Sequence, residues 1–239
     1  MALFFSVSGA LGIALQIALI FFLLPQGARK FPILMVHAVS RLAADAAESL
    51  VFHKQGYAVA LYAKVYWTSE IFVDMLLFLM VIVFTYQVLE GSPLRAQAAR
   101  LLVGVGTFAV LAPIAILHHR TLFSTAWFDG IIQWLNFGAA IMNLALWTAL
   151  LATKKRDPQL VAVSIGLGLA VTGAALGFGF RQLFHREGGL RIAANIEQVL
   201  THLLGLSVWC WTFRPAWLRG PSRPQPQRQP APAVTSSGY

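Results

Sequence analysis

The chain has 239 residues, 58% of them hydrophobic and only 11% charged, against about 25% charged in a typical soluble domain. Its net charge is +9, but Lys and Arg lie mostly in loops and tail rather than on a basic, aromatic face, which excludes nucleic acid as the partner. One cysteine, Cys210, rules out an intrachain disulfide and any multi-cysteine metal site.

Apolar runs near 20 residues long recur along the chain, the length that crosses a hydrocarbon core of about 30 Å. The first covers about 3–24. No Lys or Arg precedes it and Arg29 and Lys30 follow it, so it reads as a retained span starting outside rather than a signal peptide. The second (about 31–53) and third (57–89) are joined by a short turn at Gln55-Gly56 and carry charges that a span ordinarily lacks. His37, Arg41, Asp45 and Glu48 share one face of the second at helical spacing, and Lys64, Glu70 and Asp74 lie on the third.

Folding these two helices antiparallel brings opposite charges to equal depth. His37 meets Asp74, Arg41 meets Glu70, and Lys64 meets Asp45 or Glu48, a ladder of three rungs. An ionised side chain in mid-span costs about 2.5–3.5 kcal/mol, which favours an inward, paired ladder over lipid exposure. Such a ladder either fixes helix packing or forms a ligand, ion or proton site. The third run is longer than crossing requires, and Tyr57, Tyr62, Tyr66 and Trp67 at its start suit an interfacial aromatic belt.

Tyr66-Trp67-Thr68-Ser69-Glu70, the apolar run after it and the Leu94-Arg95 turn resemble a family of bacterial seven-helix membrane proteins of no assigned activity. The resemblance extends to the glycine-rich sixth span. It implies a shared seven-helix fold and a role for Glu70; the localisation expected is a bacterial inner membrane.

Glu90-Gly91-Ser92-Pro93 ends the third span. The fourth covers about 101–117, with Pro113 expected to kink it. The fifth, 126–151, bears a polar stripe of Asp129, Gln133, Asn136 and Asn143 with Trp147, expected to face the interior and line a cavity. Lys154-Lys155-Arg156-Asp157-Pro158 leads into the sixth, 159–180, whose Gly173 and Gly177 form a GxxxG packing face. The seventh, 191–213, carries Asn195, Glu197, Gln198, Thr201 and His202 in its first half, of which Glu197, Gln198 and His202 are candidate lining. Residues 214–239 form a basic, proline-rich segment without acidic residues, expected to be a disordered cytoplasmic tail.

With the start outside, cytoplasmic loops and tail hold 11 Lys and Arg and the opposite loops 5, as the positive-inside rule requires. His53, His118, His119, His185 and His202 gather toward the outer side, yet no HExxH or other short metal motif is present. The last span has no lysine for a retinal Schiff base and no HxxxH pair for a membrane hydrolase. No cofactor, metal or catalytic set is expected.

The sequence therefore reads as an all-α, polytopic seven-transmembrane-helix bundle, start outside and end in the cytoplasm. The function expected is a non-enzymatic sensor, receptor-like protein or scaffold. A small-molecule, ion or proton transporter using the same charges is the alternative. Its partners are the lipid bilayer and either a cytoplasmic protein at the 152–158 loop or tail or a second copy of the chain.

Overall fold

The computed structural model describes residues 2–56, 60–90, 95–116, 124–153, 157–183 and 188–215. Tyr57, Leu94, His118, His119, His185, the 154–156 basic run and the tail from 216 onward lie outside them. Among the described residues every regular element is helical.

Helix α1 (Ala2–Phe22) continues into a π-helical turn, Leu23–Gly27, closed by the Ala28 N–H on the Leu23 carbonyl. Pro25 lies in this turn and brings no N–H, so the helix widens to accommodate it rather than continuing in α geometry. One further helical turn, α2 (Ala28–Lys30), ends at the non-helical Phe31, and Pro32 opens α3 (Pro32–Gln55) in the first turn, where a missing N–H costs nothing. Gly56 ends α3 at φ 76°, a left-handed conformation that favours glycine, with its N–H on the Phe52 carbonyl.

The remaining helices are α4 (Ala60–Val88), α5 (Arg95–Ile116), α6 (Thr125–Ala152), α7 (Pro158–Leu183) and α8 (Gly188–Phe213). The Ser124 hydroxyl caps α6 by accepting the Trp127 N–H at 3.3 Å, and the Asp157 carboxylate accepts the Gln159 N–H at 3.0 Å where α7 begins. Several helices outrun their apolar stretches. α5 begins at Arg95 rather than near 101 and contains Pro113, α7 reaches Leu183, and α8 starts at Gly188. Hydropathy marks only the part of a helix that needs an apolar surround, while Arg, Gln and Ala carry the helix beyond it.

Five stretches are long and apolar enough to cross a membrane: Leu3–Pro25, Leu61–Val88, Arg95–Pro113, Ala126–Ala152 and Pro158–Arg181. They make the chain a multi-pass helical membrane protein. Helices α3 and α8 have 24 and 26 residues, but their charged and amide side chains lower their hydropathy.

Six helices close a ring in the order α1, α3, α4, α6, α7, α8, and α5 packs outside it against α4 and α6. The tightest seam joins α7 to α8. A Cβ at Gly173 would overlap the Thr201 side chain, one at Gly177 would come within 3.0 Å of the Gln198 Cβ, and one at Gly205 within 2.9 Å of the Gly166 carbonyl. The expected GxxxG face is thus a close helix–helix contact. Toward the end of α1, the start of α3 and the end of α4 the ring is packed with apolar side chains, beyond which lies a second cavity of about 470 Å³ lined by Lys30, Gln87, Glu90 and Asp157 among others. Phe31 meets Phe84 and Phe213 edge-on at 5.8 and 5.5 Å between ring centres, and Leu23, Leu34, Phe84, Leu146 and Val163 around them are fully buried.

Candidate functional site

The other half of the ring, where α1 begins and α3 turns back into α4, is hollow. A cavity of about 820 Å³ lies between α1, α3, α4, α7 and α8. Its lining runs from exposed residues such as Phe5, Ser49 and His53 down to the buried Trp209, His37, Asp74 and Leu77. Four carboxylates (Asp45, Glu48, Glu70, Asp74) and two guanidiniums (Arg41, Arg181) line it.

The charges form a network across helices. Arg41 donates from Nη1 to Glu70 Oε1 at 2.7 Å, joining α3 to α4, and from Nη2 to Asp45 Oδ1 at 3.1 Å, one turn along α3. The other Asp45 oxygen accepts from Gln16 Nε2 of α1 at 3.1 Å. The side chains of Arg41, Asp45 and Glu70 are 23%, 20% and 13% exposed, so this three-helix junction is largely withdrawn but still open to the cavity. The single Ser69 hydroxyl proton has two acceptors in reach, Glu48 Oε1 at 2.5 Å and the Tyr66 carbonyl at 2.9 Å. On the opposite wall Arg181 Nη2 donates to Gln198 Oε1 at 2.8 Å, tying α7 to α8.

Of the three rungs drawn from the sequence, the structure forms Arg41 with Glu70. His37 does not meet Asp74. The carboxylate turns away to α6, where Asn136 Nδ2 donates to it at 2.8 Å, and the His37 ring stands edge-on to Trp209 at 5.9 Å. Among the described residues neither His37 ring nitrogen has a hydrogen-bond partner. Lys64 meets neither Asp45 nor Glu48: it is exposed, because it lies off the face of α4 that carries Glu70 and Asp74 and near the helix start, where a long cationic side chain reaches polar surroundings.

The lining expected from α6 and α8 is likewise redistributed. Gln198 and His202 line the cavity; Asp129, Gln133, Asn136, Asn143 and Glu197 do not. Asn136 and Asn143 are nonetheless buried in the bundle, at 2% and 5% exposure, because α6 stands behind α4 and α7 and turns its stripe toward them. A Cβ at Gly168 of α7 would come within 3.0 Å of the Asn143 side-chain nitrogen, so the glycine leaves room for that amide.

Gln16, Ser69 and Arg181 belong to the site and were not expected there. Gln16 is a lone polar residue in the middle of the apolar first span, a signal available in the sequence. The apolar run of the sixth span (159–180) stops just before Arg181, which by hydropathy falls in the following loop, whereas α7 continues to Leu183.

The arrangement can hold a small polar or charged molecule. It includes a hydroxyl–carboxylate pair, Ser69 with Glu48, and among the described residues no group of three or more His, Cys, Asp or Glu is placed to hold a metal ion. No family model, no curated protein and no solved structure matches the chain, so the chemistry of the site rests on its geometry.

Proposed function

We propose that the protein is a non-enzymatic, receptor-like sensor of a bacterial inner membrane, with α1 and α3 to α8 as seven spans, the start outside and the end in the cytoplasm. The Lys and Arg bias of 11 against 5 supports this orientation. In this orientation the vestibule faces outward and the 152–158 loop and tail are available to a cytoplasmic partner.

One observation carries the reading: the vestibule is polar and ends on an apolar wall. Below Trp209 and His37 the bundle is packed with Phe31, Phe84, Phe213 and the aliphatic residues around them, and the buried hydroxyls there, Thr85 and Ser164, are turned back onto their own helices. A molecule can enter this half, but between it and a second cavity of about 470 Å³ at the other end, lined by Lys30, Gln87, Glu90 and Asp157 among others, the described side chains are mainly apolar. A transporter needs a route on both sides of its site, and transporter folds carry it on internal repeats; no repeat is evident among the spans.

Proteoliposomes containing a pH-sensitive dye test this reading. With a membrane potential imposed, the wild-type protein is expected to pass no more protons than empty liposomes. A proton flux that disappears in Glu70→Gln would replace the sensor with a transporter.

A further inference from the structure

Two carboxylates in the vestibule have no cation of their own. Glu48 and Asp74 stand outside the Arg41 ion pairs, and among the described residues neither has a Lys, Arg or His nitrogen within 4.0 Å. Asp74 is buried and held by the neutral Asn136 amide. Glu48 lies toward the wide end of the vestibule, bonded to the neutral Ser69 hydroxyl.

Three aromatic residues share the lining of the vestibule with Glu48. Phe52 lies one turn further along α3, 6.4 Å from the Tyr62 ring, and Tyr62 stacks on Tyr66 at 6.3 Å with 13° between planes. A carboxylate and aromatic rings lining one cavity favour an organic ammonium group: the rings attract its charge and bury its methylenes or methyls, and the carboxylate neutralises it. An anion would meet four carboxylates against two guanidiniums already engaged with Glu70, Asp45 and Gln198.

An independent feature lies at the floor. His37 is 3% exposed, lines the vestibule, and leaves both ring nitrogens without a hydrogen bond. A buried polar group calls for a partner, and a molecule filling the vestibule can bring one. Glu48 and His37 are about 16 Å apart along the α3 axis at 1.5 Å per residue, so a molecule touching both is extended.

We propose that the vestibule binds an elongated organic ammonium compound, its charged end at Glu48 among Phe52, Tyr62 and Tyr66 and a second polar group at His37. This rests on the receptor reading and names its ligand class. The polyamine spermidine and the shorter choline are suitable probes, with succinate as the anionic counterpart, added to the full chain in lipid nanodiscs and followed by equilibrium dialysis.

Spermidine is expected to bind saturably, more tightly than choline. Glu48→Gln keeps an acceptor for Ser69 and so the local fold, and is expected to weaken spermidine by about tenfold or more, the scale of a lost bond to a charged group. Tyr62→Leu should weaken it by a smaller factor, and Lys64→Gln, on the exposed face of α4, should leave it unchanged. The proposal is overturned if spermidine does not saturate, if Glu48→Gln leaves its affinity intact, or if succinate binds and spermidine does not. Failure of the receptor reading is a separate result, because it is read as proton flux rather than as binding.

Discussion

Reversing the charge at position 41 tests the junction of α1, α3 and α4 most severely. Arg41→Glu removes the only guanidinium at that junction and leaves Asp45, Glu70 and the new carboxylate facing one another. Removing one partner from a buried pair costs about 3–5 kcal/mol, and here two partners, at 2.7 and 3.1 Å, lose the same cation. The single variant is therefore expected at the upper end of that range. Adding Glu70→Arg restores an ion pair between α3 and α4. It does not restore the bond to Asp45, which now sits one turn from a like charge, so about 1.5–3 kcal/mol, the worth of a hydrogen bond to a charged group, remains lost. Adding Asp45→Gln to the pair should recover part of that remainder, since an amide can bond both to the new carboxylate and to Gln16. Denaturant-titrated unfolding in micelles, followed by tryptophan fluorescence, ranks the four proteins. A double variant as unstable as the single one would refute the Arg41–Glu70 contact as what holds α3 to α4.

Gly173→Ala forces a methyl group into Thr201 and is expected to cost about 1–3 kcal/mol by overpacking, whereas Gly104→Ala, with nothing within 4 Å, should be neutral or slightly stabilising; thermal melting in detergent compares them. Trp209→Phe loses the Nε1–H bond to the Val163 carbonyl at 2.9 Å and is expected to lower stability by about 1–3 kcal/mol, read by the same melting assay. At the closed end, Lys30 meets Asp157 at 2.6 Å and donates to Gln159 at 2.9 Å. Partial burial works to raise the Asp157 carboxyl, but the hydrogen bonds and charge of Lys30 and the N–H groups of Gln159 and Leu160 outweigh it and hold it below the usual carboxylate range. A depressed folded value means that the pair's contribution is complete above the unfolded value near pH 4 and fades as pH falls through the folded one. Both side chains are more than a third exposed, so a Lys30–Asp157 double-mutant cycle should give below about 1 kcal/mol at pH 7, and progressively less as the pH falls below about 4.

The bundle was legible because its helices announce themselves by length and apolar content, and the Arg41–Glu70 contact because consecutive antiparallel helices put residues of equal depth side by side. That argument fixes depth along a helix but not rotation about it. Lys64 has the right depth and the wrong angle; Asp74 has the right depth for His37 but turns to Asn136 on a helix that is not its neighbour in sequence. Gln16 stands out in its apolar span, but its partner Asp45 was out of reach for a related reason, since which non-consecutive helices touch is decided by packing, here by the glycines that draw α8 onto α7 and leave α1 to close the vestibule. The GxxxG pair was visible, but not that Gly166 and Gly205 would extend the seam.

The apolar wall that ends the vestibule, with Phe31, Phe84 and Phe213 at its centre, is tested most directly by thiol labelling in sealed vesicles. Single cysteines at Ser49 and Val73, both in the vestibule, and at Phe84, in the apolar wall, are made in a Cys210→Ala background and exposed to a membrane-impermeant reagent on each side in turn. The cysteines at 49 and 73 are expected to react from one side only, the same side for both, and the one at 84 from neither. Labelling at 73 from the opposite side, or at 84 from either, would mean that water passes the wall, and the vestibule would then be one end of a channel.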